Sequence, residues 1–127
     1  MERIFINTPS TKSEILVGHS WENLSELLPE TGVVIITDDN ILKIYRKKFP
    51  DFPVLSVAPG EKSKQLSVIE KLAGGLLELG IDRTGFILAI GGGVVCDIAG
   101  FLASVYMRGI RCGFVSTSLL SQVDAST

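Results

Sequence analysis

The chain has 127 residues, of which 46% are hydrophobic, and a formal net charge of −2. This length favours a single globular domain with a substantial core, and the apolar content argues against disorder. Because the sequence has no run of basic residues, nucleic acid and anionic membrane surfaces are disfavoured as partners. Cys96 and Cys112 lie in apolar segments, so we expect core thiols in a reducing cytoplasm, not a disulfide or a metal pair.

The chain begins with short apolar segments that alternate with amphipathic ones. Residues 3–7 and 14–18 are predicted to be strands that pair as an opening hairpin. Residues 21–28 carry apolar side chains at the spacing of one helix face. Residues 32–37 are β-branched and apolar, which is typical of a buried strand, and residues 41–49 follow as a helix with a basic outer face.

The middle of the chain contains the longest helix candidate. A strand is predicted over residues 54–58, and apolar side chains then keep the helical period over residues 63–79. Gly80 is expected to end this helix in the C′ position, where a left-handed backbone is common.

The last part of the chain repeats the strand-helix alternation. It contains a predicted strand over residues 86–90, a helix over 94–106, a strand over 111–115 and a helix that starts at Thr117. This alternation predicts an α/β fold with a doubly wound, mostly parallel sheet and helices on both faces.

Three consecutive glycines, Gly91 to Gly93, separate the strand at 86–90 from the helix at 94–106. Glycines let backbone amides approach a ligand closely, and a helix start offers unpaired N–H groups and a partial positive charge. A phosphate or pyrophosphate is the natural occupant, although Cys96 stands where a dinucleotide fingerprint requires its last glycine. The alternative is a tight turn without a ligand.

Residues 84–107 could also be a membrane-spanning segment, because Asp97 is the only charged residue among them. Asp97 would then lie in the middle of the bilayer, the three glycines would break the helix, and no basic flank marks a cytoplasmic side. A strand and a helix that are both buried in an α/β core explain the same apolarity, so we expect no membrane partner.

Polar residues follow four of the predicted strands, and parallel strands would bring them to one edge of the sheet, where such folds bind ligands. Together these loops predict a dinucleotide cleft. They are 38–40 (Asp38, Asp39, Asn40), 59–64 (Pro59, Gly60, Glu61, Lys62, Ser63, Lys64), the glycine turn through Asp97, and 116–118 (Ser116, Thr117, Ser118).

Individual residues of these loops have structural alternatives. Asp38 or Asp39 could accept hydrogen bonds from a ribose, but either could cap the following helix, and Asp39 or Asn40 is the expected cap. Lys64 could hold a phosphate as a point charge, or it could be a solvated lysine in the first turn of a helix.

Three further charged residues need partners or roles. Asp97 is expected in the first helical turn after the glycines, among apolar neighbours, where a carboxylate needs a ligand or backbone donors. Arg108 either caps carbonyls at the end of that helix or reaches an anionic substrate, and Asp124 raises the same question as Asp97. His19, the lone histidine, is expected to be a surface or packing residue, because no set of residues has the spacing of a metal site.

The joint pattern of four segments resembles the 3-dehydroquinate synthase family. The segments are 60–64 (Gly-Glu-Lys-Ser-Lys), 91–101 (Gly-Gly-Gly-Val-Val-Cys-Asp-Ile-Ala-Gly-Phe), Arg108-Gly109, and 117–124 (Thr-Ser-Leu-Leu-Ser-Gln-Val-Asp). The resemblance implies a Rossmann-like amino-terminal domain of a two-domain, homodimeric cytoplasmic enzyme. That enzyme uses NAD and a divalent metal, zinc or cobalt, to convert 3-deoxy-D-arabino-heptulosonate 7-phosphate, a sugar-acid phosphate, to 3-dehydroquinate with release of phosphate.

The resemblance also implies roles for single residues. Asp38 and Asn40 would hold the adenosine end of NAD, Glu61 and Lys64 its ribose and phosphate part, and Gly92, Gly93, Val94 and Asp97 its pyrophosphate and nicotinamide side. Thr117, Ser118 and Leu120 would line the cofactor, while Arg108 and Asp124 would face the substrate. The remaining members of the expected cofactor site are Gly60, Lys62, Ser63, Val95 and Cys96.

The chain departs from the family pattern in places. Cys96 stands where glycine is common, Ser116 where proline is common, and Ser118 where threonine is common. The family's metal ligands, a glutamate and two histidines, belong to a carboxy-terminal helical domain, and its glycine-and-lysine loop after Asp124 is missing. We therefore expect residues 1–127 to be a truncated amino-terminal domain that binds NAD but does not turn over. The alternatives are a stand-alone nucleotide-binding module and a related sugar-phosphate cyclase with another substrate.

Overall fold

The computed structural model describes residues 3–7, 13–17 and 28–116. Its strands are β1 (Arg3–Asn7), β2 (Ser13–Val17), β3 (Val33–Asp38), β4 (Val54–Val57), β5 (Phe86–Gly91) and β6 (Arg111–Ser116). Its α-helices are α1 (Asp39–Tyr45), α2 (Leu66–Glu78) and α3 (Gly93–Val105). Single 3₁₀ turns cover Arg46–Lys48, Glu61–Ser63 and Tyr106–Arg108.

The strands of the described regions form one sheet in the order β2-β1-β6-β5-β3-β4. The pairs β3–β4, β3–β5 and β5–β6 are parallel, while β1 runs antiparallel to both β2 and β6. The mostly parallel α/β sheet and the opening hairpin are thus confirmed. The pairing of β1 with β6 was not predicted, because no local pattern specifies a partner so distant in sequence.

Both faces of the sheet are covered, which explains why residues 33–36 of β3 and 86–90 of β5 are apolar at every position. Along β3, Val34 and Ile36 face one core layer, and Val33 and Ile35 face the other. The first layer lies beneath α2 and α3 and includes Leu76 and Leu102. The second includes Leu88 and Ile90 and is flanked by Ile41 of α1 and by Phe49. The expectation of helices on both faces is confirmed.

Two helices are shorter than predicted. The helix expected over 41–49 is α1 followed by a 3₁₀ turn, and the helix expected over 63–79 begins only at Leu66. The backbone leaves the helical region at Lys64 (φ −77°, ψ 72°), so the preceding 3₁₀ turn and α2 are separate. Gly80, with φ of +74°, follows the last turn of α2, as predicted. The helices expected over 21–28 and from Thr117 lie outside the described residues, except that Leu28 lies in a bend.

Candidate functional site

The strand order places a crevice at the carboxyl ends of β3 and β5. The chain leaves β3 through α1 on one face of the sheet and leaves β5 through α3 on the other face. Adjacent strands whose following helices diverge in this way define the position where open α/β sheets bind ligands. Three of the four predicted polar loops, those after β3, β4 and β5, lie at this edge. The fourth begins at Ser116 and continues outside the described residues.

Gly91 and Gly93 of the turn differ in whether the protein has room for a side chain at that position. A Cβ on Gly91 would lie 2.9 Å from Cβ and Cγ2 of Val95, so packing within the protein requires glycine there. A Cβ built on Gly93 would meet no atom within 4 Å, and Gly93 is the first residue of α3. The protein itself therefore admits a side chain at Gly93, and the open space there matches a ligand held close to the backbone.

The amino terminus of α3 faces this open space without a side-chain cap. Gly92 is the N-cap residue, and no side chain hydrogen-bonds to the helix there. The first amides of a helix have no partner within it and carry a partial positive charge. Val94 is half-buried, whereas the Val95 side chain is fully buried, so Val95 can offer a ligand only its backbone. The arrangement suits a phosphate or pyrophosphate.

Lys64 brings a cation to the same edge. Its Nζ lies 2.9 Å from Oδ2 of Asp97 and 3.6 Å from Oε2 of Glu61. The hydrogen bond to Asp97 is the main cause that raises the pKa of Lys64 above its ordinary value of 10.5, and the charges of Asp97 and Glu61 add to it. Because the pKa is raised, Lys64 keeps its positive charge at neutral pH. Lys64 is thus neither in the first turn of a helix nor a simple solvated lysine.

The expectation that Asp97 lies in the first helical turn is wrong, whereas the expectation that its carboxylate has a partner is confirmed. Asp97 is the fifth residue of α3, so it lies beyond the first turn. Its side chain is 62% exposed and paired with Lys64, although its sequence neighbours are apolar. The helix rotates Asp97 outward while Ile98 and Ala99 enter the core. The partner that the sequence required is a lysine from another loop.

Asp38, not Asp39 or Asn40, caps α1. Its Oδ1 accepts a hydrogen bond from the Ile41 amide at 2.8 Å, and its extended backbone (φ −107°, ψ 167°) is that of an N-cap. The expected cap was wrong because α1 begins two residues before Ile41, directly at the end of β3. Asp39 and Asn40 are exposed in the first turn.

We expect Asp38→Ala to lower the free energy of unfolding by about 1 kcal/mol, because the Ile41 amide loses its acceptor. Asp38→Ser keeps a capping oxygen and should retain most of the stability. Thermal unfolding measures both variants, with Asp39→Ala as the control. A larger loss in the control than in Asp38→Ala would contradict the capping assignment.

A hydrogen bond within the loop after β4 holds this loop in place. Ser63 is 4% exposed, and its hydroxyl donates to the Ala58 carbonyl oxygen at 2.5 Å. Gly60 has φ of +100°, which L side chains rarely adopt. Ser63 therefore shapes the loop that carries the exposed residues Glu61, Lys62 and Lys64, and its side chain does not face the crevice.

Ser63→Ala should lower the free energy of unfolding by about 0.5–1.5 kcal/mol, because the part-buried hydrogen bond to the Ala58 carbonyl is lost. Ser67→Ala is the matched control, since the exposed Ser67 hydroxyl makes only a 3.4 Å contact with Gln65. Chemical denaturation compares the two variants. Equal losses would show that the hydrogen bond from Ser63 to Ala58 does not order the loop.

Burial makes the thiols of the two cysteines unreactive. Burial raises the pKa of Cys96 to about 11 and that of Cys112 to about 12, so both thiols stay protonated at neutral pH. Neither forms a disulfide. Cys96 lies beside the turn, where its amide donates to the Gly92 carbonyl, and its partly buried thiol is not a nucleophile.

Arg108 does not lie at this edge of the sheet. It belongs to the 3₁₀ turn at the carboxyl end of α3, about 20 Å from the glycine turn by the rise of a helix of this length. Its φ of +68° places it in the left-handed region, and its side chain is exposed. The other predicted residues, Thr117, Ser118, Leu120 and Asp124, lie outside the described residues, as does His19.

A groove of about 250 Å³ lies beside the Lys64–Asp97 pair, between α2 and α3. Sequence reasoning missed its apolar wall, because Leu66 and Phe101 fit the apolar periodicity of buried helix faces yet are 77% and 49% exposed. The groove is lined by Lys64, Gln65, Leu66, Ile69, Asp97, Ile98 and Phe101.

Within the described ranges, no three His, Cys, Asp or Glu side chains are grouped so that they could hold a metal ion. The residues seen here therefore do not fit the metal that the family resemblance implies. Over the same ranges, no helix has the length and apolarity needed to cross a bilayer. The apolar stretch at 84–107 is divided between β5 and α3.

Comparison with known proteins identifies relatives of the chain. The family model described as 3-dehydroquinate synthase N-terminal matches residues 54–127. The 3-dehydroquinate synthases of Clostridium kluyveri and Streptococcus sanguinis are 41% and 37% identical to it over 99% and 98% of the chain. The chain spans 39% of the length of each of these curated relatives.

Solved structures share the fold. A 2-deoxy-scyllo-inosose synthase, complexed with carbaglucose-6-phosphate, NAD⁺ and Co²⁺, matches 87% of the chain with a TM-score of 0.66 and 24% identity; the match covers 34% of that protein. The 2-epi-5-epi-valiolone synthase from Streptomyces hygroscopicus subsp. jinggangensis, with NAD⁺ and Zn²⁺ bound, matches 68% of the chain with a TM-score of 0.59 and 23% identity; the match covers 26% of that protein. Because the family model covers more than half of the sequence, the chain belongs to the 3-dehydroquinate synthase N-terminal family.

Proposed function

We propose that the chain is the NAD-binding amino-terminal domain of a 3-dehydroquinate synthase. The observation that carries the proposal is the uncapped start of α3, with open space at Gly93 and the Lys64 ammonium in the neighbouring loop. Unpaired amides and a fixed cation at the switch point of the sheet suit the pyrophosphate of a dinucleotide. The NAD complexes of the fold relatives support this identification of the ligand.

The residues of the crevice fit NAD in the following way. The amides of Gly92, Gly93 and Val94 hold the pyrophosphate, and Lys64 supplies a positive charge beside it. Asp97 orients Lys64 and lines the nicotinamide side of the crevice. These residues bind and orient the cofactor. Its nicotinamide ring would then be free to face the part of the enzyme that holds the substrate.

The outer parts of the cofactor site complete this assignment. Asp38 and Asn40 lie at the end of β3 and hold the adenosine end, with Asp38 also capping α1. Glu61 binds a ribose hydroxyl, and Thr117, Ser118 and Leu120, which follow β6 in the sequence, line the cofactor.

In the full-length enzyme the substrate is 3-deoxy-D-arabino-heptulosonate 7-phosphate and the products are 3-dehydroquinate and phosphate. NAD, when bound, supplies a hydride acceptor that is regenerated in each turnover. Asp124 faces the substrate, whereas Arg108 lies at the other end of α3 and is not assigned to this crevice. The ligands of the zinc or cobalt ion lie outside this chain, and we assign no step to that ion. The complete protein is a cytoplasmic homodimer with two domains, of which residues 1–127 are the first.

A chimera tests the proposal. Residues 1–127 are joined to the remaining part of the Clostridium kluyveri relative, and phosphate release from the heptulosonate phosphate is measured with NAD at a concentration far below that of substrate. We expect more phosphate than the NAD present, because the cofactor is recycled. The same chimera with Gly93→Val is the control and should release none.

Two results would contradict the proposal. A folded chimera that binds NAD but releases no phosphate would favour a stand-alone nucleotide-binding module. Release from a different sugar phosphate, but not from the heptulosonate phosphate, would favour a related sugar-phosphate cyclase with another substrate.

A further inference from the structure

The backbone pairing between β3 and β5 stops just below the crevice. The last paired residues of these strands are Ile36 and Ala89. Each strand stays paired with its other neighbour for longer. The pairing of β3 with β4 extends to Asp38, and the pairing of β5 with β6 extends to Gly91. The two strands therefore part from each other where the crevice opens, while each keeps its other neighbour.

A side chain bridges the two strands at this position. Thr37 is completely buried, and its hydroxyl donates to the Ile90 carbonyl oxygen at 2.6 Å. Ile90 is the residue immediately before the three glycines. Within residues 28–115, Thr37 and Ser63 are the buried polar residues, and each donates to a carbonyl group next to a loop of the crevice.

We propose that Thr37 is a positioning residue for the cofactor site. Its hydroxyl takes the place of the next backbone hydrogen bond between β3 and β5 and fixes the position of the Ile90 carbonyl. The Gly92 and Gly93 amides therefore stay directed into the crevice. Thr37 does not touch the cofactor, because its side chain is buried beneath the turn. The inference rests on the proposed function, because the amides that Thr37 holds are those assigned to the pyrophosphate.

Residues on the two sides of Thr37 could not perform this role. Ile36 already pairs through its backbone, and Asp38 uses a carboxylate oxygen to cap α1. Threonine suits the position because its methyl group fills the core while its hydroxyl satisfies a buried carbonyl. From the sequence, Thr37 looks like an ordinary β-branched strand residue, which is why it was not among the predicted site residues.

The test compares three variants of the 127-residue chain. Thr37→Val keeps the shape and removes the hydroxyl, whereas Thr37→Ser keeps the hydroxyl and loses the methyl group. Tyr106→Phe is the matched control, because the buried Tyr106 hydroxyl also donates to a backbone carbonyl, that of Ile81, at 2.6 Å. Tyr106 follows the carboxyl end of α3, so the control removes the same kind of bond far from the crevice.

Two quantities are measured for each variant: the backbone order parameters of Gly92 and Gly93 by NMR, and the dissociation constant for NAD by calorimetry. Thr37→Val should lower the order parameters toward those of a flexible loop and weaken NAD binding at least roughly fivefold. Thr37→Ser should retain both properties. Tyr106→Phe should lower the melting temperature but leave both properties unchanged.

The proposal is overturned if Thr37→Val keeps the wild-type order parameters, or if Tyr106→Phe changes them equally. Failure of wild-type chain to bind NAD would contradict the proposed function, and the order parameters would still decide whether Thr37 holds the turn. If Thr37→Val does not fold, Thr37→Cys replaces it, because a thiol is a weaker donor. Its order parameters should then lie below those of Thr37→Ser, and equality with the wild type would overturn the proposal.

Discussion

Gly93→Val should abolish detectable NAD binding while the chain remains folded. The open space at Gly93 lies at the start of α3, so a side chain would occupy the position that we assign to the pyrophosphate. The protein has room for the added Cβ, because no atom outside the chain neighbours and the backbone of α3 lies within 4 Å of it. Calorimetric titration with NAD measures the loss, and circular dichroism measures the fold.

Gly93→Ala extends this prediction to stability. Replacing a helical glycine by alanine is worth roughly 0.5–1 kcal/mol, so this variant should melt a few degrees higher than the wild type while it binds NAD more weakly. Gly91→Ala is the contrasting control, because its Cβ would lie 2.9 Å from Val95 and should destabilise the fold. Normal NAD affinity in either Gly93 variant would mean that the turn has only a structural role.

Lys64→Ala should raise the dissociation constant for NAD at least tenfold, because a charge-assisted hydrogen bond to phosphate is worth about 1.5–3 kcal/mol. The melting temperature should change little, since the ion pair with Asp97 is solvent-exposed and such pairs contribute little to folding. In the full-length enzyme the same substitution should raise the Michaelis constant for NAD. Calorimetry on the chain and steady-state kinetics on the enzyme provide the two measurements.

Two controls make the Lys64 result specific. Lys71→Ala removes an equal charge from the exposed face of α2, and it should leave NAD affinity unchanged. Asp97→Asn keeps the size of the side chain and removes the charge that holds Lys64, so it should weaken NAD binding without a marked change in melting temperature. If Lys71→Ala weakened binding as much as Lys64→Ala, the effect would be one of net charge and not of a placed cation.

The sheet could be predicted from the sequence because its central strands contain uninterrupted apolar runs, each followed by polar residues or glycines. Residues 33–36 of β3 and 86–90 of β5 show this pattern. The end of α2 could also be predicted, since Gly80 follows the last apolar position. The start of α2 could not be predicted, because residues 63–65 continue the helical pattern in the sequence, whereas the backbone leaves the helical region at Lys64.

The candidate site was predicted in its location but not in its internal contacts. Glycines and polar residues after parallel strands indicate the edge of the sheet where a ligand binds. The pairing of Lys64 with Asp97 depends on how α2 and α3 pack, and no local pattern contains that information. The choice of Asp38 as the cap depends on where β3 ends, which three consecutive polar residues leave open. Thr37 was missed because a hydroxyl in an apolar strand has no signature of its own.

A titration of the isotopically labelled chain with NAD, followed by two-dimensional amide NMR, tests the central claim most directly. We expect binding in the millimolar range, because the chain spans 39% of the length of the Clostridium kluyveri relative and so offers NAD only part of the contacts of a full-length enzyme. The shifts should be largest at Gly92, Gly93 and Val94, with smaller changes at Asp38 and Lys64. No shift at millimolar NAD, or shifts confined to the opposite edge around Arg108, would contradict a cofactor crevice between β3 and β5.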